Sequence, residues 1–87
     1  MPSEVRTVLQ ELQTAKRVVG IKQLRKALRE GVATTVFIAE NADLRLTAPI
    51  RESCEQAGIP VISVPTMAEL GKVCSIEVGA AVAAIIR

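Results

Sequence analysis

The sequence predicts an α/β fold, a three-layer α/β/α sandwich in which helices cover both faces of a four-stranded mixed sheet in a single domain. Two observations lead there. Segments of helical period alternate with short apolar runs along the whole chain, in the order α-β-α-β-α-β-α-β. The short runs are almost unbroken in hydrophobicity, as strands buried on both faces are. The core that this pattern implies is aliphatic, since the chain has one Phe and no Trp or Tyr.

The elements follow in order. Val5, Val8, Leu9 and Leu12 recur at helical spacing behind Ser3, a suitable N-cap, and predict a helix from Ser3 to Thr14. Arg17-Val18-Val19 reads as a brief strand ending at Gly20. From Ile21 the period changes: Ile21, Leu24, Ala27 and Leu28 form one face, and Lys22, Arg25, Lys26 and Arg29 the opposite one, with Gly31 as the stop. Thr35 to Ala39 is β-branched and apolar, a buried strand, which the polar Glu40-Asn41-Ala42-Asp43 breaks.

A third helix is expected from Leu44 or Arg45 to Ala57, with Pro49 tolerable only near its first turn. Gly58 ends it, and Val61 to Val64 is the next strand. Thr66-Met67-Ala68-Glu69 matches a capping box, in which hydroxyl and carboxylate satisfy free backbone N–H groups, and predicts a short helix from Met67 to about Val73. Ala80 to Ile86 is ambiguous between helix and strand by propensity. The preceding alternation favours a strand.

A chain of 87 residues buries roughly 60–65% of its unfolded surface, enough for one core. Its composition, 49% hydrophobic and 23% charged, is that of a globular protein. No apolar stretch reaches the roughly 20 residues a membrane span needs. The opening MPSEVRTVLQELQ has neither a basic start nor a small-residue cleavage site, so a cytoplasmic protein without membrane contact is expected.

Several chemistries lack their residues. With no histidine, the commonest general base and metal ligand is missing. Cys54 and Cys74 stand far apart with no histidine partner, which argues against a zinc cluster or a Cys–His nucleophile and for small core filler. No serine sits in a Gly-x-Ser-x-Gly setting, and no phosphate loop or dinucleotide motif appears. Catalysis, a cofactor and a metal are therefore not expected.

Charge is more informative by position than in total. Six of the eleven basic residues (Lys16, Arg17, Lys22, Arg25, Lys26 and Arg29) fall between Lys16 and Arg29 with no acid among them, leaving five bases against nine acids elsewhere. Such a block is the footprint of a polyanion partner; the alternative is a solvated helix face. The scarcity of aromatic residues argues against modules that stack single-stranded bases on Phe or Tyr. Charge, backbone amides, helix termini and aliphatic wedges remain, a set better suited to a folded RNA with a distorted backbone.

The segment VVGIKQLRKALREG, residues 18–31, resembles the kink-turn-binding ribosomal-protein family (L-seven-Ae/L-thirty-e-like), which has Gly-x-Asn-Glu-x-x-Lys where its first strand meets its second helix. The resemblance continues through VFIAENADL and AGIPVISVPTMAELGKVCSIEVGAAVAAII, in order and almost without gaps from Ala15 to Ile86. It is strongest to the small bacterial YbxF-like branch, which also carries Gly-x-Lys-Gln.

The resemblance implies recognition of an RNA internal loop with tandem sheared G·A pairs, whose duplex bends sharply. The family motif falls on Gly20, Lys22, Gln23 and Lys26, and Arg25 lies on the same basic face. Gly20 allows close backbone approach, Lys26 can reach guanine O6/N7 or phosphate, and Gln23 can donate and accept at purine edges. A second contact is implied at Ser75 to Gly79, with Ile76 and Val78 packing on bulged nucleotides and Glu77 and Gly79 completing the loop. Glu40, Asp43 and Met67 fall where members line the pocket for a flipped-out nucleotide.

Each assignment has a plainer counterpart. Gly20 is then a strand-to-helix turn, Lys26 a solvated lysine, Glu40 and Asp43 an acidic turn or N-cap, and Ile76 and Val78 core before the last strand. Lys22-Gln23 in place of Asn-Glu removes a carboxylate acceptor and adds a cation, which predicts binding that is more salt-sensitive and less discriminating. The expected partner is structured RNA, that of the ribosome included, bound by a monomer. The alternative is a protein–protein module of the same fold without RNA affinity.

Overall fold

The computed structural model describes Leu12 and residues 15–87. The helix expected from Ser3 to Thr14 lies outside the described residues apart from Leu12, which is fully buried. The remaining elements are β1 (Arg17–Val19), α1 (Ile21–Glu30), β2 (Ala33–Ala39), α2 (Leu44–Ala57), β3 (Val61–Val64), α3 (Met67–Val73) and β4 (Val82–Ile86).

Local chemistry sets most of these boundaries. Gly31 and Gly58 end α1 and α2 in the left-handed conformation, and each donates its N–H back to the last helical turn. Thr66 caps α3 by accepting from the Glu69 N–H at 3.1 Å, the hydroxyl half of the capping box. Three details differ from the sequence pattern. β2 starts at Ala33 rather than Thr35, because a register irregularity prolongs its pairing with β4 and lets the Thr34 hydroxyl donate to the Ile85 carbonyl at 3.1 Å. β4 starts at Val82 rather than Ala80, whose N–H is drawn off to the Met67 carbonyl.

The third difference is Pro49. It lies in the second turn of α2, not the first, and withdraws the bond its N–H would give to the Arg45 carbonyl. Both residues are exposed, so water can take the donor's place.

The four strands lie in the order β1-β4-β2-β3. β4 is antiparallel to both of its neighbours, and β3 is parallel to β2. Alternate residues of β2 feed two cores. Val36 and Ile38 meet Leu24 and Ala27 of α1 and Ile50 and Cys54 of α2 on one face. Phe37 and Ala39 meet Leu70 and Cys74 together with Leu12 on the other. The result is the three-layer α/β/α sandwich.

These strand directions also position the site. β1, β2 and β3 all end where β4 begins, since β1 and β2 both run against β4 and β3 runs with β2. Each of the three is followed by a helix, so the N-termini of α1, α2 and α3 and the loop leading into β4 open at one end of the sheet. The carboxyl ends of strands in open α/β sheets are where ligands characteristically bind.

Candidate nucleic-acid interface

The first component is the junction of β1 and α1. Gly20 adopts φ 97° and ψ 157°, a region that only glycine enters without strain. Its N–H donates to the Val82 carbonyl at 3.0 Å, which ties the start of α1 to the start of β4. A Cβ built on Gly20 would meet nothing within 4 Å. The glycine therefore serves the backbone turn and leaves open space in front of it.

Among the described residues no side chain caps α1, and its first turn carries no acid. Its leading N–H groups and the positive end of its dipole face outward. Lys22, Gln23, Arg25, Lys26 and Arg29 are all exposed. Lys22 and Lys26 stand one turn apart, as do Arg25 and Arg29, so the helix carries two short cationic rows. They diverge: Arg25 and Arg29 line a groove of about 480 Å³ against Pro49, Ile50 and Ser53 of α2. Gln23 and Lys26 border a smaller one of about 210 Å³ beside Val18 and Ile86.

The second component is the loop from Ser75 to Gly79. It begins at the far end of α3 and returns along that helix to β4. Gly71 makes this possible: a Cβ there would run into the Val78 carbonyl and lie 3.1 Å from the Gly79 Cα. The loop is pinned by Ile76 N–H to Gly71 carbonyl and Ala80 N–H to Met67 carbonyl, both 3.0 Å. Ser75 takes a positive φ of 62° at the point of reversal. Ile76 is 36% and Val78 71% exposed, so neither is core. Glu77 is exposed as well.

Met67 plays a supporting part. Its Cβ would lie 3.1 Å from a Cβ on Gly79, and its N–H donates to Asn41 Oδ1 at 2.8 Å. Asn41 thus ties the turn after β2 to the start of α3, a role the sequence reading missed. That reading also passed over Leu44 and Leu46, which stand exposed in the first turn of α2.

The two acids of that turn are engaged locally. Asp43 is the N-cap of α2, accepting from the Arg45 N–H at 2.9 Å and pairing with its guanidinium at 2.7 Å. The Arg45 side chain holds the Asp43 carboxyl below the usual carboxylate range. Glu40 is also held low, first by the Ser63 hydroxyl and then by Arg51, which lies 3.1 Å away.

The topology therefore gathers the candidates around the start of β4. Gly20, Lys22, Gln23 and Lys26 approach through β1 and α1; Met67 and Ile76 to Gly79 approach through α3. Glu40 and Asp43 sit on the turn between β2 and α2. Arg25 is on α1 but turns toward α2.

The pattern of the ribosomal protein L7Ae/L30e/S12e/Gadd45 family matches residues 3–87. The chain belongs to this family. Among its relatives is the RNA-binding protein YbxF of Geobacillus stearothermophilus, 47% identical over 76 residues that make up 87% of this chain and 93% of that protein. RNA-binding protein GWCH70_0105 of Geobacillus sp. (strain WCH70) is 49% identical over the same shares of each chain. The L7Ae-family fold also superposes on the Giardia lamblia 15.5kD RNA binding protein with a TM-score of 0.87 at 24% identity, over 97% of this chain and 75% of that one. A protein of unknown function from Bacillus halodurans superposes with a TM-score of 0.81 at 23% identity, over 91% of this chain and 83% of that one.

Proposed function

We propose that this protein binds structured RNA, recognises kink-turns with tandem sheared G·A pairs, and stabilises their bent form, in ribosomal or other ribonucleoprotein RNA. One observation carries the reading: an uncapped, acid-free, glycine-led start of a basic helix and an exposed aliphatic loop share one end of the sheet. The helix start offers amides and cations to phosphates and guanine edges, and the loop offers Ile76 and Val78 to unstacked bases. The printed descriptions of the relatives as RNA-binding proteins support the same class of ligand.

The mechanism is selection of a conformer. Binding only the kinked form shifts the population toward it, and moving a 1:99 mixture to 99:1 needs about 5.5 kcal/mol of differential affinity. Lys22 and Lys26 supply salt-dependent affinity, each phosphate contact adding about one to the salt slope. The test is a titration of a kink-turn RNA against the same RNA without its G·A pairs, at two salt concentrations. Preference for the intact motif at both is expected; equal affinity for the two RNAs refutes kink-turn recognition.

A further inference from the structure

We infer that Arg17 is the positioning residue that sets the Ser75–Gly79 loop for binding. The inference rests on the RNA-binding reading above and gives Arg17 a role through the Cys74 carbonyl that it holds.

Arg17 is the first residue of β1, three positions before Gly20, and it is only half-buried. Its guanidinium reaches across the sheet face that α3 covers and donates to the Cys74 carbonyl at 2.9 Å and to the Leu12 carbonyl at 3.3 Å. Cys74 is the C-cap of α3, and the next residue, Ser75, is the one that reverses the chain at positive φ. A carbonyl at a helix C-terminus has no partner within the helix and favours a cation. Arg17 supplies both the hydrogen bond and the charge.

The consequence is geometric. Ser75 to Gly79 is anchored at its far end by Ala80 N–H on the Met67 carbonyl and at its near end by Ile76 N–H on the Gly71 carbonyl. Both anchors lie on α3, so the loop moves with that helix. Arg17 fastens the C-terminal end of α3 to β1, and β1 leads directly into Gly20. One three-residue strand therefore holds both halves of the interface in a fixed relation. A planar guanidinium suits this task because it can address two carbonyls at once.

The experiment uses the full chain and two variants, Arg17→Met, which keeps the apolar stem, and Arg17→Lys, which keeps the charge. Amide hydrogen exchange is followed at Ile76 and Ala80, with Ala39 and Glu40, bonded to Ala81 and Val64, as reporters of the sheet. Kink-turn RNA affinity is measured in parallel, with Lys26→Ala as the control. Arg17→Met should speed exchange at Ile76 and Ala80 while Ala39 and Glu40 stay protected, and weaken RNA binding about tenfold. Arg17→Lys should fall between it and the wild type. Lys26→Ala should lose affinity with unchanged exchange.

Unchanged exchange in the Arg17→Met loop overturns the inference, as does a loosened loop with unchanged affinity. If Arg17→Met does not fold, the same two readouts on Arg17→Lys decide: a shift in both supports the role, and absence of either refutes it. If the wild type itself ignores kink-turn RNA, the functional reading fails, while the exchange result still tells whether Arg17 holds the loop.

Discussion

Gly71→Ala sets two effects of opposite sign against each other. Gly71 is buried inside α3, where alanine is the better helix former by about 1 kcal/mol. Opposing this, the added methyl meets the Val78 carbonyl and comes within 3.1 Å of the Gly79 Cα, and both are backbone rather than flexible side-chain atoms. Overpacking of this kind costs about 1–3 kcal/mol. The net expectation is a loss of up to about 2 kcal/mol, read from urea denaturation. The loop must also lift off α3, which displaces Ile76 and Val78. Each contributes about 1.5 kcal/mol or more when fully buried against a partner, so RNA affinity should fall at least tenfold. A variant more stable than the wild type, with RNA affinity intact, would show that helix propensity wins and that the loop does not depend on this contact.

Other outcomes follow from the same geometry. Lys26→Ala should weaken RNA binding by about 1–3 kcal/mol with an unchanged melting temperature, since the side chain is exposed; an equal dissociation constant at moderate salt would count against the site. Ile76→Ser should cost more in RNA affinity than in folding stability, because Ile76 already faces solvent in part; parallel melts and titrations give the order. Asp43 and Glu40 have lowered carboxyl values, so the stability they add is present above the unfolded value of about 4 and is lost as pH falls through their folded values. Asp43→Asn keeps an N-cap acceptor but should flatten that acid limb slightly in pH-dependent melts.

The local elements were legible because their signals are local. Val61 to Val64, the Thr66 cap and the glycine stops of α1 and α2 each announce themselves within a few residues. The alanine-rich Val82–Ile86 does not. Its propensity is mixed, and it becomes a strand because small side chains fit between two helical layers on both sides of a central position. Strand order was illegible for the same reason.

The site divides similarly. The basic face of α1 could be read from spacing, and the resemblance carried Gly20 as a contact together with Ile76 and Val78, which hydropathy alone would have buried. The bonds that Arg17 and Asn41 make left no pattern to read. They reach 57 and 26 residues along the chain to backbone atoms, and backbone atoms carry no sequence signature.

The central position of β4 bears on how the molecule assembles. β4 is the latest of the strands along the chain, yet β1 and β2 meet only through it. During synthesis the ribosome delivers β1, β2 and β3 first, and the β2–β3 pair can form early. β1 must wait, because β4, its ladder partner among the described residues, has not yet been made. Closing that ladder joins residues more than sixty positions apart, a slow, high-contact-order step. The Gly20–Val82 bond is part of the same closure, so a growing chain is expected to tie the start of α1 into the sheet only after β4 arrives.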